Sequence, residues 1–198
     1  MLLDSLVAPL ATFLAQPGLA PAPAPQFHAL GEVRTSLYFG LRLLDDDFEP
    51  ADEQTLLGIA IDVHEVDSIS SFELGYFRSF GDGSSDFGAN SVDVDACVHE
   101  IWGGGRWTYD PWAGSLHPYV GVGLSVLRAE YETEGIGGSN SNKGWAAGVY
   151  GHGGIEWTIA ERWSVGLDLR ALFSTPAKLQ REVPLDYYQA AFTVSWTW

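Results

Sequence analysis

The chain closes with the stretch Tyr187–Trp198, YYQAAFTVSWTW. From Tyr188 every second residue is apolar: Tyr188, Ala190, Phe192, Val194, Trp196 and Trp198. Between them stand Gln189, Ala191, Thr193, Ser195 and Thr197, all small or polar. A period of two is the mark of a β-strand with two unlike faces. Whether the apolar face looks into a core or out into lipid decides the fold.

The same alternation recurs upstream seven times and predicts eight strands of about ten residues, the length that crosses a bilayer when tilted. The apolar faces are Leu37–Leu43, Leu57–Val63, Phe72–Tyr76, Val92–Val98, Val120–Val126, Ala147–Trp157 and Trp163–Leu169, each taken at every second residue. Gly, Ala, Ser and scattered charges occupy the other faces. The strand around residues 92–98 is read with Val92, Val94, Ala96 and Val98 outward and Asp93, Asp95, Cys97 and His99 inward. The connections alternate. DDDFEPADEQ, GDGSSDFGAN, TEGIGGSNSNKG and STPAKLQREVPLD are long and polar, whereas VDSIS and AER are short. The remaining one, GGGRWTYDPWAGSLH, is long, and part of it is expected to extend the strands on either side. Long connections at one end and short turns at the other are the pattern of an up-and-down outer-membrane barrel.

Composition narrows the classes. The 198 residues carry Lys+Arg 10 against Asp+Glu 26, a net charge of -16. Nucleic acid and polybasic docking on anionic lipid both need a basic face, so neither partner is expected. The single Cys97 excludes an intrachain disulfide and a four-thiolate zinc site. Residues 1–27, apolar from Leu2 to Ala15 and then Pro/Ala-rich, are read as an export signal with a linker. The barrel is assigned to residues 28–198.

Three features favour lipid outside. The second faces are rich in Gly, Ala and Ser, which suits the narrow lumen of an eight-stranded barrel. Trp102, Trp107, Trp112, Trp157, Trp163 and Trp198 fall beside short-turn connections or the C-terminus, as an interfacial aromatic girdle would. An even strand number also brings both chain ends to one side. A soluble, lipocalin-like barrel around an apolar ligand cavity would alternate too, and is the competing reading.

Three stretches carry a family likeness: LHPYVGVGLSVLRAEY at 116–131, VYGHGGIEWTIAERWSVGLDLRALF at 149–173, and AAFTVSWTW at 190–198. Together they resemble the small outer-membrane β-barrel proteins of Gram-negative bacteria, the OmpA/OmpX/OmpW-like group. The resemblance implies an outer-membrane location and a C-terminal strand read by the barrel-assembly machinery. Outer-membrane lipid and lipopolysaccharide are the expected partners, the acidic long loops suiting divalent cations that bridge to lipopolysaccharide, and the expected role is structural or adhesive. A monomer is expected.

The lumenal faces collect Arg42, Asp62, His64, Glu73, His152, Glu156, Asp168 and Arg170, with His99 on the strand register given above. Charges inside a barrel must be paired, so these residues predict an ion-pair network that plugs the lumen. Glu156, Asp168 and Arg170 flank the AER turn on neighbouring strands and are expected to face one another. Catalysis is not expected. Asp, His and Ser occur without a nucleophile elbow, and the HGG at 152–154 lacks an oxyanion-hole setting. A lipid A-modifying enzyme and a narrow pore are the lesser alternatives. No cofactor is implied. A metal site from His64, His99 and His152 would need their strands to bring them level. The DDDFEPADE run lacks an EF-hand pattern and reads as a solvated acidic loop.

Overall fold

The computed structural model describes residues 30–45, 50–65, 68–87, 90–109, 115–135, 138–178 and 182–198. The N-terminal segment assigned to export, the middle of the first acidic loop and Trp112 lie outside them. Among the described residues ten strands occur in order: β1 (Leu30–Leu44), β2 (Glu53–Glu65), β3 (Ser70–Phe87), β4 (Asn90–Thr108), β5 (Leu116–Gly135), β6 (Gly138–Ala160), β7 (Trp163–Ser174), β8 (Pro176–Lys178), β9 (Glu182–Pro184) and β10 (Tyr187–Thr197). β1 to β7 and β10 close into one antiparallel ring, in which β10 pairs with both β7 and β1. The short β8–β9 hairpin forms a separate two-stranded sheet in the connection between β7 and β10. The C-terminal strand is therefore the closing seam. It runs in register from Tyr187 opposite Leu44 to Thr197 opposite Arg34.

The apolar face looks outward. Leu41 (63% exposed), Leu124 (67%) and Leu169 (65%) stand on the outer wall, while Arg42 and Asp62 are fully buried inside. A lipocalin-like barrel needs the opposite polarity, so this orientation removes the soluble reading. On β7 the outward residues run from Trp163 to Phe173. Ten residues at ~3.3 Å, tilted by ~40°, give an apolar band ~25 Å tall, the height of a bilayer's hydrocarbon region.

The strands are unequal. β3 to β6 have 18, 19, 20 and 23 residues, while β1, β2, β7 and β10 have 11–15. The stretches GDGSSDFGAN and TEGIGGSNSNKG are mostly strand, and carry the β3–β4 and β5–β6 ladders up to Phe87–Asn90 and Gly135–Gly138. Half of the wall thus rises as two long hairpins above the apolar band.

These extensions overturn one predicted register. On β4, Val94, Ala96 and Val98 face inward and are buried, while Asp93, Asp95, Cys97 and His99 face outward. The cause is solvent. Inside the bilayer the outer wall meets hydrocarbon and is apolar, but above it the outer wall meets water and turns polar. There the apolar side chains move to the inside, where Ala51, Val94 and Ala96 pack with Tyr131. Hydropathy along β4 changes phase although the strand does not, and Ile101, at 62% exposure, resumes the lipid-facing pattern.

Candidate functional site

Inward-facing side chains meet in tiers along the lumen. Nearest the chain termini, Arg34 at the start of β1 bonds Asp62 of β2 through Nε (3.0 Å) and Nη2 (2.7 Å), and reaches Glu156 of β6 through Nη1. Arg106 of β4 lies 2.8 Å from the same Glu156 carboxylate. Its guanidinium also rests on the Tyr119 ring, 3.5 Å from the centroid. Two arginines thus share two carboxylates supplied by four different strands.

The middle tier centres on His152. Its Nδ1 lies 2.8 Å from Asp168 Oδ2, and its Nε2 lies 2.8 Å from Glu73 Oε1. Tyr119 donates to Asp168 (2.8 Å) and Tyr150 donates to Glu73 (3.0 Å). An imidazole with a carboxylate at each nitrogen satisfies both only when it is doubly protonated. In that form the lumen is neutral, because the buried set comprises Arg34, Arg42, Arg106 and Arg170 against Asp62, Glu73, Glu100, Glu156 and Asp168. Glycine makes room here. A Cβ on Gly123 would press on the Tyr150 hydroxyl and the Gly103 carbonyl.

The upper tier is built on Glu100 of β4. It takes Arg42 Nη2 at 2.6 Å, Arg170 Nη2 at 3.0 Å, Ser125 Oγ at 2.6 Å and the Tyr187 hydroxyl at 2.8–2.9 Å. Arg42 also bonds Gln189 Oε1. Both guanidiniums lie over aromatic rings, Arg42 on Tyr187 (3.9 Å) and Arg170 on Tyr150 (3.6 Å) and Trp102 (4.5 Å). Leu56, Leu127 and Leu172 pack beside this tier, Leu127 directly opposite Glu100. Leu44, Ala129 and, from the β8–β9 connection, Ala177, Val183 and Leu185 continue the same apolar cluster past it.

Of the residues singled out in the sequence, Arg42, Asp62, Glu73, His152, Glu156, Asp168 and Arg170 lie in these tiers. His64 sits half-buried on the same face of β2, near the short-turn end. The partners differ from those expected. Glu156 joins Arg34 and Arg106 rather than the β7 charges, Asp168 joins His152, and Arg170 joins Glu100. Three charged members were not anticipated. Arg34 shares the parity of Arg42 and was legible. Arg106 lay in a stretch read as connection. Glu100 was lost with the β4 register, which put His99 inside. His99 is instead on the outer wall, its Nδ1 2.6 Å from the Tyr76 hydroxyl. His64, His99 and His152 therefore do not converge, and among the described residues no group of His, Cys, Asp or Glu is arranged to hold a metal ion.

The tryptophans divide. Trp107, Trp157, Trp163 and Trp198 are on the outer wall toward the short-turn end, 43–72% exposed. Trp163 and Trp196 form a cross-strand edge-to-face pair at 4.5 Å, with Trp198 beside them. Trp102 is not a girdle residue. At 1% exposure it lies inside the barrel against Phe77, Tyr150 and Arg170. Four residues before Arg106, it belongs to the Glu100 face of β4, and the bare Gly75 opposite leaves space for its indole.

An outward apolar band, a closed ring of eight strands and a polar interior identify the architecture, and the sequence agrees. The model of the outer membrane protein beta-barrel domain family matches residues 6–197. The chain belongs to that family. No curated protein matches it in sequence. Several solved structures share its fold. The attachment invasion locus protein Ail of Yersinia pestis, in complex with the heparin analogue sucrose octasulfate, superposes with a TM-score of 0.56 at 10% identity, covering 85% of this chain and 98% of that one. Neisserial surface protein A gives 0.53 at 12%, covering 83% and 95%. The N-terminal β-barrel of OprF from Pseudomonas aeruginosa gives 0.51 at 11%, covering 85% and 98%. At such identities the likeness is one of fold. The protein is thus a transmembrane barrel of the cell outer membrane. In such barrels the short turns face the periplasm and the long connections face outward, so the β3–β4 and β5–β6 hairpins project from the cell.

Proposed function

We propose that this outer-membrane barrel is a structural and surface-interaction protein that works through its outer wall and projecting hairpins, with a plugged lumen and no catalytic activity. The observation that carries the reading is the continuous filling of the interior. Three tiers of paired charges end under an apolar cap, and each tier ties together strands distant in the ring. Such a core resists passage of solutes and braces the wall. The long hairpins extend past the hydrocarbon band and present carboxylates outward, including Asp82, Asp95 and Glu132. The sulfated ligand in the Ail complex is not carried over, because a polyanion would meet a repelling surface here. Lipid and lipopolysaccharide surround such a barrel, its aromatic C-terminal strand suits recognition by the assembly machinery, and a monomer suffices because the ring is closed.

Planar bilayers with purified protein test the plug. No conductance steps are expected, and regular steps in the unmodified protein would overturn it. Replacing residues 81–95 by a two-residue turn tests the surface role. Cell attachment and autoaggregation should fall while the unheated protein still migrates as a compact band. Lipid A mass spectra should be identical with and without expression, and a changed spectrum would establish the enzyme alternative.

A further inference from the structure

The outer wall of the projecting hairpins is layered in a way that the lumen does not explain. Adjacent strands place Arg78 (β3), His99 (β4), Arg128 (β5) and Trp145 (β6) directly opposite one another in a single outward-facing row. Immediately toward the membrane the corresponding row is Tyr76, Ile101, Val126 and Ala147, and below it lie Leu74, Leu124 and Val149. The Arg78 row therefore sits at the outer edge of the apolar band. Arg78 is exposed and Arg128 half-exposed, and Trp145 is 64% exposed. Glu130, one step above, holds Arg128 (2.6 Å) and Lys143 (3.4 Å) together. With Arg78, this row and the one above it hold three cations against the single carboxylate of Glu130, in a chain of net charge -16. Of its ten Lys and Arg residues, four are the lumenal arginines, and three of the other six converge here.

Four residues further out along the same strands, ~13 Å away, Asp82, Asp95 and Glu132 form an acidic row. A soluble polyanion approaching along the hairpins meets those carboxylates first. An anion held at the membrane surface on a lipid meets the arginines directly, with its acyl chains against Ile101 and Val126. Guanidinium groups bind phosphate at two points, and Trp145 is the residue type that settles at this depth.

We propose that the Arg78–His99–Arg128 row, with Trp145 and Lys143, docks the phosphorylated headgroup of lipopolysaccharide in the outer leaflet. The proposal rests on the outer-membrane reading and narrows the lipid contact to one part of the wall. Full-length protein folded in detergent, titrated with bisphosphorylated lipid A and read by native mass spectrometry, tests it. R78Q/R128Q should weaken lipid A retention about tenfold. E130Q, which frees the cations, should strengthen it. R162Q, at the short-turn end, should change nothing. Lipid A stripped of its phosphates should bind wild type no better than bisphosphorylated lipid A binds the double variant. The proposal fails if the double variant retains lipid A like wild type, if R162Q loses as much, or if phosphatidylglycerol binds wild type as tightly as lipid A. The unheated gel shift confirms that each variant is folded. If the double variant does not fold, R78Q and R128Q singly are held to the same criterion, with each weakening binding. Wild type that stays soluble without detergent would sink the membrane reading itself.

Discussion

Glu100 is where the lumenal network is most exposed to a single change. It is fully buried and accepts from two guanidiniums, a serine and a tyrosine. Glu100→Gln keeps the size and removes the charge. Arg42 and Arg170 then remain buried in the lumen without their shared counterion, left with one neutral amide oxygen at position 100 besides Gln189, Ser125 and aromatic faces. Breaking a buried pair by removing one partner costs about 3–5 kcal/mol. That is roughly two to three and a half orders of magnitude in the folding equilibrium. Urea titration of the protein folded into phosphatidylcholine vesicles, followed by tryptophan fluorescence, measures it. Replacing the whole tier with apolar residues, E100L/R42M/R170M, should recover most of the loss, because desolvation then disappears with the charges. A Glu100→Gln cost below about 1 kcal/mol would refute the reasoning. It would mean that water reaches these charges and that the tiers do not plug the lumen.

Trp102→Ala should destabilise the barrel by about 3–5 kcal/mol, as for other buried aromatics. Trp157→Ala on the lipid face should cost far less, and brominated lipids should quench Trp157 and Trp163 but not Trp102. Cys97 faces outward above the apolar band, in a groove with Arg78 and Glu130. A membrane-impermeant maleimide should therefore label it on intact cells, and an unreactive thiol in folded protein would return β4 to the opposite register. Gly123→Val forces a side chain against Tyr150 and the Gly103 backbone. About 1–3 kcal/mol of overpacking should follow, read in the same urea titration.

How far the sequence could be read depended on what each face touched. β1, β2, β3, β5, β6, β7 and β10 cross hydrocarbon for most of their readable length, and their alternation assigned both faces. Strand number and the closing role of β10 followed from the same signal. β4 failed because half of it stands in water. Asp93, Asp95, Val94 and Val98 obey the rule of a soluble sheet, while Ile101 and Trp107 obey that of a membrane wall. Periodicity alone cannot show where one solvent gives way to the other. The pairing of charges was less legible still. Parity says that Glu156 and Arg170 both point inward, but which carboxylate meets which guanidinium depends on shear, which staggers strands around the ring. Arg34 and Glu156 are 122 residues apart and meet only because the barrel closes.

The phase change along β4 also connects the two halves of the functional reading. Where the outer wall is apolar, the inside holds five carboxylates and their partners. Where the outer wall turns polar, the inside becomes apolar, with Val94, Ala96 and Val98 of β4, Leu127 and Ala129 of β5 and Ala146 of β6 buried there. A plugged lumen, as proposed, would need no separate plug domain, because extending β3 to β6 into water inverts their faces and places apolar side chains inside. The same inversion turns Arg78, His99 and Arg128 outward just where lipid headgroups lie. A hairpin truncated below this level would lose the cap and the cationic row together, whereas one truncated above residues 82 and 95 should keep both.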